Sequence, residues 1–161
     1  NGLASLQENR PRYTKSVFVD FDPEGRITHV EFANTMIRVA KRFTYEQVQE
    51  FFEAKSGKTK AVSGDIASML ARARSRAQLL RERRRARGCL ELAMPEPHVD
   101  IGPDGHVTGA TYSKHDESHA LIEEFMLTAN EAVAQELHDR ELAFLRRVHT
   151  NPDPIKLHAF A

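Results

Sequence analysis

Apolar positions recur at two different periods along the chain, and the change of period predicts its elements. Tyr13 to Phe21 carries Val17, Phe18, Val19 and Phe21 in a β-branched and aromatic run, and Ile27 to Phe32 repeats it after Asp22-Pro23-Glu24-Gly25. Pro and Gly between two such runs predict a β-hairpin. The second strand is expected to run on through Thr35, Ile37 and Val39 to Phe43, with a bulge near Asn34. Residues 1 to 12 are polar and read as a loop anchored by Leu3 and Leu6. Short strands are also expected at Cys89–Leu92, His98–Ile101, Val107–Tyr112 and Ala143–Val148, with Pro103-Asp104-Gly105 as a hairpin turn.

Helical periodicity is strongest from His119 to Leu137, where Leu121, Ile122, Phe125, Ala129, Ala132, Val133 and Leu137 trace one apolar face and no Gly or Pro intervenes. At about 100° per residue, Glu123, Met126 and Asn130 share a second face, while Glu124, Thr128 and Glu131 point elsewhere. Adjacent acids in a first turn also suit the positive end of a helix dipole, which gives them a purely structural reading. Thr44-Tyr45-Glu46-Gln47 has the form of a capping box, with Phe43 and Val48 as its hydrophobic staple, and predicts a helix from Tyr45 to about Ala54. A Lys/Gly/Ser loop follows at 55–64. Asp65 then caps a second helix, whose stripe is Ile66, Met69, Leu70, Ala73, Ala77 and Leu80, and Gly88 stops it after Arg87. Pro152-Asp153-Pro154 opens a last helical turn. The expected fold class is α+β, mainly antiparallel strands and hairpins packed with three main helices.

A length of 161 residues suits one domain, and the Asn at one end and His158-Ala159-Phe160-Ala161 at the other suit a piece of a longer protein. No apolar run approaches the ~18 residues of a spanning helix, and no leader precedes the first strand pattern, so no membrane association is expected. The single cysteine, Cys89, excludes an internal disulfide and fits a reducing, cytoplasmic compartment. Net charge is zero, but residues 1–87 hold 18 Lys/Arg against 10 Asp/Glu and residues 88–161 hold 5 against 13. That polarity suits a phosphate-facing surface beside carboxylate chemistry, or a domain that pairs with itself.

Within the second helix Arg72, Arg76, Arg83 and Arg87 lie within roughly 60° of one another. Such a stripe can pair with phosphate oxygens and release counterions, or it can be a solvated face that pairs with the acidic half. Asp20 and Asp22, at i and i+2, share a side of a strand at a spacing that could hold a divalent cation, but Asp22 also begins the turn, where Asp bonds the backbone, and the turn is the preferred reading. His115, Asp116 and His119 suggest zinc at first sight. No third His or Cys stands at ligand spacing, and HExxH is absent. Cys89 follows a helix C-terminus, the wrong end to stabilise a thiolate, and reads as a small core residue. No Ser-His-Asp order, P-loop or dinucleotide fingerprint appears, which leaves an α+β domain with a basic and an acidic helix and a lean toward nucleic acid.

The stretch NGLASLQENRPRYTKSVFVDFDPEGRITHVEFANTMIRVAKRFTYEQV resembles the middle of the catalytic RNB domain of the ribonuclease II and ribonuclease R family. RARGCLELAMPEPHV, DGHV, HALIEEFMLTANEAVA and RVHTNPDPIKL follow in the family's order, so the resemblance covers essentially residues 1–161. It implies an internal segment of a 3′-to-5′ hydrolytic exoribonuclease that acts on single-stranded RNA with magnesium and releases nucleoside 5′-monophosphates. The implied parent is monomeric and cytoplasmic, with no small-molecule cofactor apart from the metal. The family's metal-binding aspartates lie upstream of the matched part and a catalytic arginine downstream. No catalytic or metal residue is therefore assigned here, and the segment is expected to be inactive alone. Residue by residue, Tyr45 in FTYEQV matches a family tyrosine that lines the RNA channel and helps distinguish RNA from DNA. Glu123, the first acid of LIEEF, matches a glutamate with the same kind of role near the 3′ end. Leu92 stands where several relatives carry a Phe that clamps the terminal bases, and it offers packing without a π-surface. The alternative is a non-catalytic RNA-binding or scaffolding relative that kept the fold and lost the active site.

Overall fold

The computed structural model describes residues 2, 4–54, 62, 64–89, 96–113, 115–148 and 150–160, with the backbone alone at Glu96, His98, Ser113 and Phe160. In chain order the elements are β1 (Pro11–Phe21), β2 (Ile27–Arg38), α1 (Tyr45–Glu53), α2 (Gly64–Ala86), β3 (Glu96–Ile101), β4 (Val107–Ser113), α3 (Glu117–Asp139) and α4 (Pro154–Phe160). The class is α+β, as expected. Both sheets are two-stranded antiparallel hairpins, β1–β2 and β3–β4.

The first hairpin keeps regular register from Pro11↔Arg38 to Asp20↔His29 and shifts only between Asp20 and Phe21. The expected bulge near Asn34 is absent: Asn34 pairs with Lys15, and its Oδ1 accepts from Lys15 Nζ at 2.9 Å. The irregularity belongs to the turn. There Asp22 Oδ1 accepts from the Arg26 N–H at 2.7 Å, Asp22 Oδ2 accepts from Arg26 Nε at 2.6 Å, and Gly25 takes φ +77°. Desolvation raises the Asp22 carboxyl, but the Arg26 N–H and guanidinium outweigh it and hold the group below its ordinary value. Gly25 lies under α2, and a Cβ there would stand 3.1 Å from Leu79. A side chain at Gly25 would therefore push the turn off the helix as well as strain its backbone.

Strand β2 stops at Arg38 rather than Phe43. Val39 instead makes an isolated parallel bridge with Glu8, and its carbonyl accepts from the Asn9 N–H at 2.8 Å. The strand expected at Ala143–Val148 does not form. Residues 142–148 have no regular structure and leave Leu145 and Val148 exposed, and no described strand lies beside them to share a ladder. Of Cys89–Leu92, residues 90–92 lie outside the described residues.

Thr44 caps α1 as the sequence predicts. The Gln47 N–H donates to Thr44 Oγ1 at 3.4 Å, and Gln47 Oε1 accepts from the Thr44 N–H at 3.0 Å. Helix α2 begins at Gly64, one residue before the expected cap, so Asp65 falls inside its first turn. The core forms where three helices meet: Phe51 and Phe52 of α1, Leu70 and Ala77 of α2 and Leu121 of α3, joined by Val62 just before α2 and flanked by the staple residues Phe43 and Val48. Only part of the predicted apolar face of α3 is covered in this chain. Leu121 and Ala132 are buried, while Ile122, Phe125 and Val133 stay exposed, because α2 packs on the side of α3 that carries Leu121 and Glu124. No helix of the described residues is long and apolar enough to cross a membrane.

Candidate RNA-contact surface on the third helix

Two helix N-termini build this surface. Asp116 is the N-cap residue of α3 in extended conformation, and Ser118, in the first turn, is buried. The Ser118 N–H donates to Gln49 Oε1 of α1 at 3.2 Å, and Ser118 Oγ donates to Asp116 Oδ1 at 2.8 Å. The same Oδ1 lies 2.8 Å from His119 Nδ1. Burial raises the Asp116 carboxyl, yet the bonds from His119 and Ser118 prevail and lower it. In Glu117 the Arg74 guanidinium is the largest influence, and it lowers that carboxyl too, with Arg74 Nη2 2.5 Å from Glu117 Oε2. Both depressed carboxyls contribute stability that is present above the ordinary carboxylate pKa and is lost as pH falls through their lowered values.

Tyr45, the first residue of α1, lays its ring on the imidazole of His119, with centroids 3.9 Å apart and planes 18° from parallel. One turn further along α3 is Glu123, on the same face as His119. Its carboxylate stands 3.3 Å from His115 Nε2 and 3.6 Å from Arg84 Nη2, and its side chain is 42% exposed. The structure thus brings Tyr45 and Glu123, far apart in sequence, to one side of α3. Met126 and Asn130 continue that side and are exposed.

Glu124 turns the other way. Its side chain is only 4% exposed and meets Arg84, with Nη2 2.5 Å and Nε 3.1 Å from Oε1. The hydrogen bond that Arg84 donates to Glu124 is the largest influence raising the Arg84 pKa, and the guanidinium stays charged throughout the physiological range. Arg84 Nη1 also lies 2.8 Å from Cys89 Sγ. One arginine therefore joins the buried acid, the exposed acid and the residue after the helix stop. Sequence periodicity places Arg84 off the expected basic stripe and cannot show this, since the pairing depends on how α2 and α3 meet.

The four arginines of the stripe separate. Arg76 donates to the Asp22 carbonyl at 3.2 Å and sits 5.2 Å over the Phe21 ring, so it braces the hairpin. Arg72 is exposed near the other end of α2. Arg83 and Arg87 line a cleft of about 210 Å³ with Arg26, Arg84, Glu124 and Glu131, between the β1–β2 turn, α2 and α3. Arg87 is 3.8 Å from Glu131, and four guanidiniums face two carboxylates there. Leu92 lies outside the described residues.

Among the described residues no three His, Cys, Asp or Glu side chains converge to hold a metal ion. Asp22 is engaged through both carboxylate oxygens by Arg26, as the turn reading requires.

The family model for the RNB domain matches residues 1–161. Ribonuclease R of Thermotoga maritima is 36% identical over 155 residues, which is 96% of this chain and 22% of that protein. Ribonuclease R of Chlamydia trachomatis is 31% identical over 160 residues, 99% of this chain and 22% of that protein. The solved structure of Mycoplasma genitalium RNase R in complex with ribose methylated single-stranded RNA superposes with a TM-score of 0.89 at 27% identity, covering 99% of this chain and 24% of that one. The chain thus spans about a fifth to a quarter of the length of these relatives.

Proposed function

Because the chain belongs to the RNB-domain family, we propose that it is an internal segment of a 3′-to-5′ hydrolytic exoribonuclease that acts on single-stranded RNA and releases nucleoside 5′-monophosphates. The observation that carries this reading is the shared face of Tyr45 and Glu123 on α3. A strand laid along it meets a ring that can stack on a base and, one helical turn away, a carboxylate that can accept a bond from a ribose hydroxyl, which DNA lacks. A structurally similar relative, the Mycoplasma genitalium enzyme, has been solved with single-stranded RNA, which supports RNA as the ligand.

In this reading Leu92 packs against the terminal bases. Arg83 and Arg87 hold phosphates along their cleft, Arg72 adds positive charge toward the other end of α2, and Arg76 steadies the wall. Magnesium serves hydrolysis in the complete enzyme. Its ligands are not among the described residues, which position RNA and leave the bond-breaking groups to the rest of the parent. That parent is read as a cytoplasmic monomer. A non-catalytic relative is separated from an enzyme by the parent sequence upstream, where an aspartate-rich motif supports the nuclease and neutral replacements remove it.

Two measurements test the residues. In the full-length parent, Glu123→Ala is expected to narrow the RNA-over-DNA preference in kcat/KM by about tenfold, the worth of a hydrogen bond to a charged group. An unchanged preference would leave Glu123 with only its contacts to His115 and Arg84. For the cleft, the Arg83→Ala/Arg87→Ala double variant should flatten the plot of log affinity for single-stranded RNA against log salt by about 1.4, since each phosphate contact on a single strand contributes about 0.7. An unaltered slope would take both arginines off the RNA path.

A further inference from the structure

Tyr45 occupies an awkward position for a residue that must present a ring accurately. It is the first residue of α1, where the backbone is fixed by the Thr44 cap but no preceding helical turn supports the side chain. His119 supplies the missing support. The stacked imidazole covers one face of the tyrosine, and the residue remains 42% exposed, which leaves ring surface open to a ligand. The imidazole is itself held. An ionised Asp116 can only accept, so Nδ1–H donates to its Oδ1 at 2.8 Å and the ring cannot flip without losing that bond. Ser118 anchors the same Oδ1, and its backbone N–H is tied to Gln49 of α1, so ring and support ride on helices that are cross-linked to each other. Neither His119 nor Asp116 is needed to bury the core, whose members lie elsewhere on these helices.

We infer that His119, locked by Asp116, is a positioning residue for Tyr45: it holds the ring in its nucleotide-stacking orientation before RNA arrives, so that the stacked nucleotide presents its ribose hydroxyl to Glu123, and thereby sets how strongly a ribose strand is preferred to a deoxyribose one. The inference rests on the reading of Tyr45 as an RNA contact. A freely rotating tyrosine would lose side-chain freedom on binding, whereas a ring already seated on His119 has lost it on folding, so the benefit is pre-organisation.

The test uses the full-length parent and compares kcat/KM on matched RNA and DNA single strands for Tyr45→Ala, His119→Ala, His119→Phe and the Tyr45→Ala/His119→Ala double variant. His119→Ala should narrow the RNA/DNA ratio by roughly three- to tenfold, the range of a lost aromatic pair. His119→Phe keeps a flat support and should retain most of the preference, which also guards against mere misfolding. The double variant should match Tyr45→Ala, because a support for an absent ring has nothing left to do. If Tyr45→Ala narrows the ratio and His119→Ala does not, or if the two losses add, the positioning role is overturned while the Tyr45 contact stands. If Tyr45→Ala itself leaves the ratio unmoved, the RNA-contact reading and this inference fall together.

Discussion

Replacing Arg84 with alanine is expected to destabilise the chain by about 3–5 kcal/mol, because it strands the Glu124 carboxylate in the interface between α2 and α3. Glu124 is 4% exposed and Arg84 20%, and the two meet through Nη2 at 2.5 Å and Nε at 3.1 Å. The same arginine stands 3.6 Å from Glu123 and 2.8 Å from Cys89 Sγ, so its loss also loosens the exposed acid and the end of α2. Denaturant unfolding of the variant and the parent chain measures the difference, and a loss below about 1 kcal/mol would mean that Glu124 finds solvent. Changing both partners, as in Arg84→Met with Glu124→Leu, should restore most of the stability, since no unpaired charge is left behind. Recovery of the fold without the ion pair would separate its structural part from any part in RNA binding.

A loss of about 3–5 kcal/mol is also expected for Phe52→Ala, by removal of a large buried ring from the junction of the three helices. Phe52 is buried with Phe51, the ring centroids lying 5.7 Å apart. The guanidinium of Arg74 sits 4.8 Å over the Phe52 ring and donates to the Phe52 carbonyl at 3.1 Å, while its Nη2 bonds Glu117 at the start of α3. The cavity therefore removes apolar burial and also the surface that orients a link between α2 and α3. Phe18→Ala, on an exposed part of β1, is the control and should move the unfolding midpoint little. Equal effects at the two positions would mean that the core is not centred where Phe51, Phe52, Leu70 and Leu121 place it.

What could be read from the sequence was the chemistry of short range. The Thr44–Gln47 capping box, the Asp22–Gly25 turn, the Pro103–Gly105 turn and the long helix containing Glu123 are each specified by neighbours a few residues apart, and each forms. The misplaced features depend on partners that periodicity does not name. Ala143–Val148 has strand-like residues but no strand beside it among the described residues, and β2 ends early because Glu8 and Asn9 take up Val39. At the candidate site the residue types at 45 and 123 were legible through the family resemblance. The support of His119 under Tyr45 and the division of Arg84 between two acids were not, since both arise only when separate helices meet. The basic stripe was legible as charge but not as geometry: the β1–β2 turn claims Arg76 and leaves Arg83 and Arg87 to the cleft.

The cap at Thr44 has a reach beyond its two hydrogen bonds. It determines that the helical path starts at Tyr45, and so fixes the direction in which the Cα–Cβ bond of that residue leaves the backbone. Unwinding the first turn of α1 would swing the ring off the imidazole without any change at the imidazole itself. Fraying of a helix end and loss of the ring–imidazole stack are then a single event, and any ligand held against the ring would act in return as a clamp on the first turn of the helix.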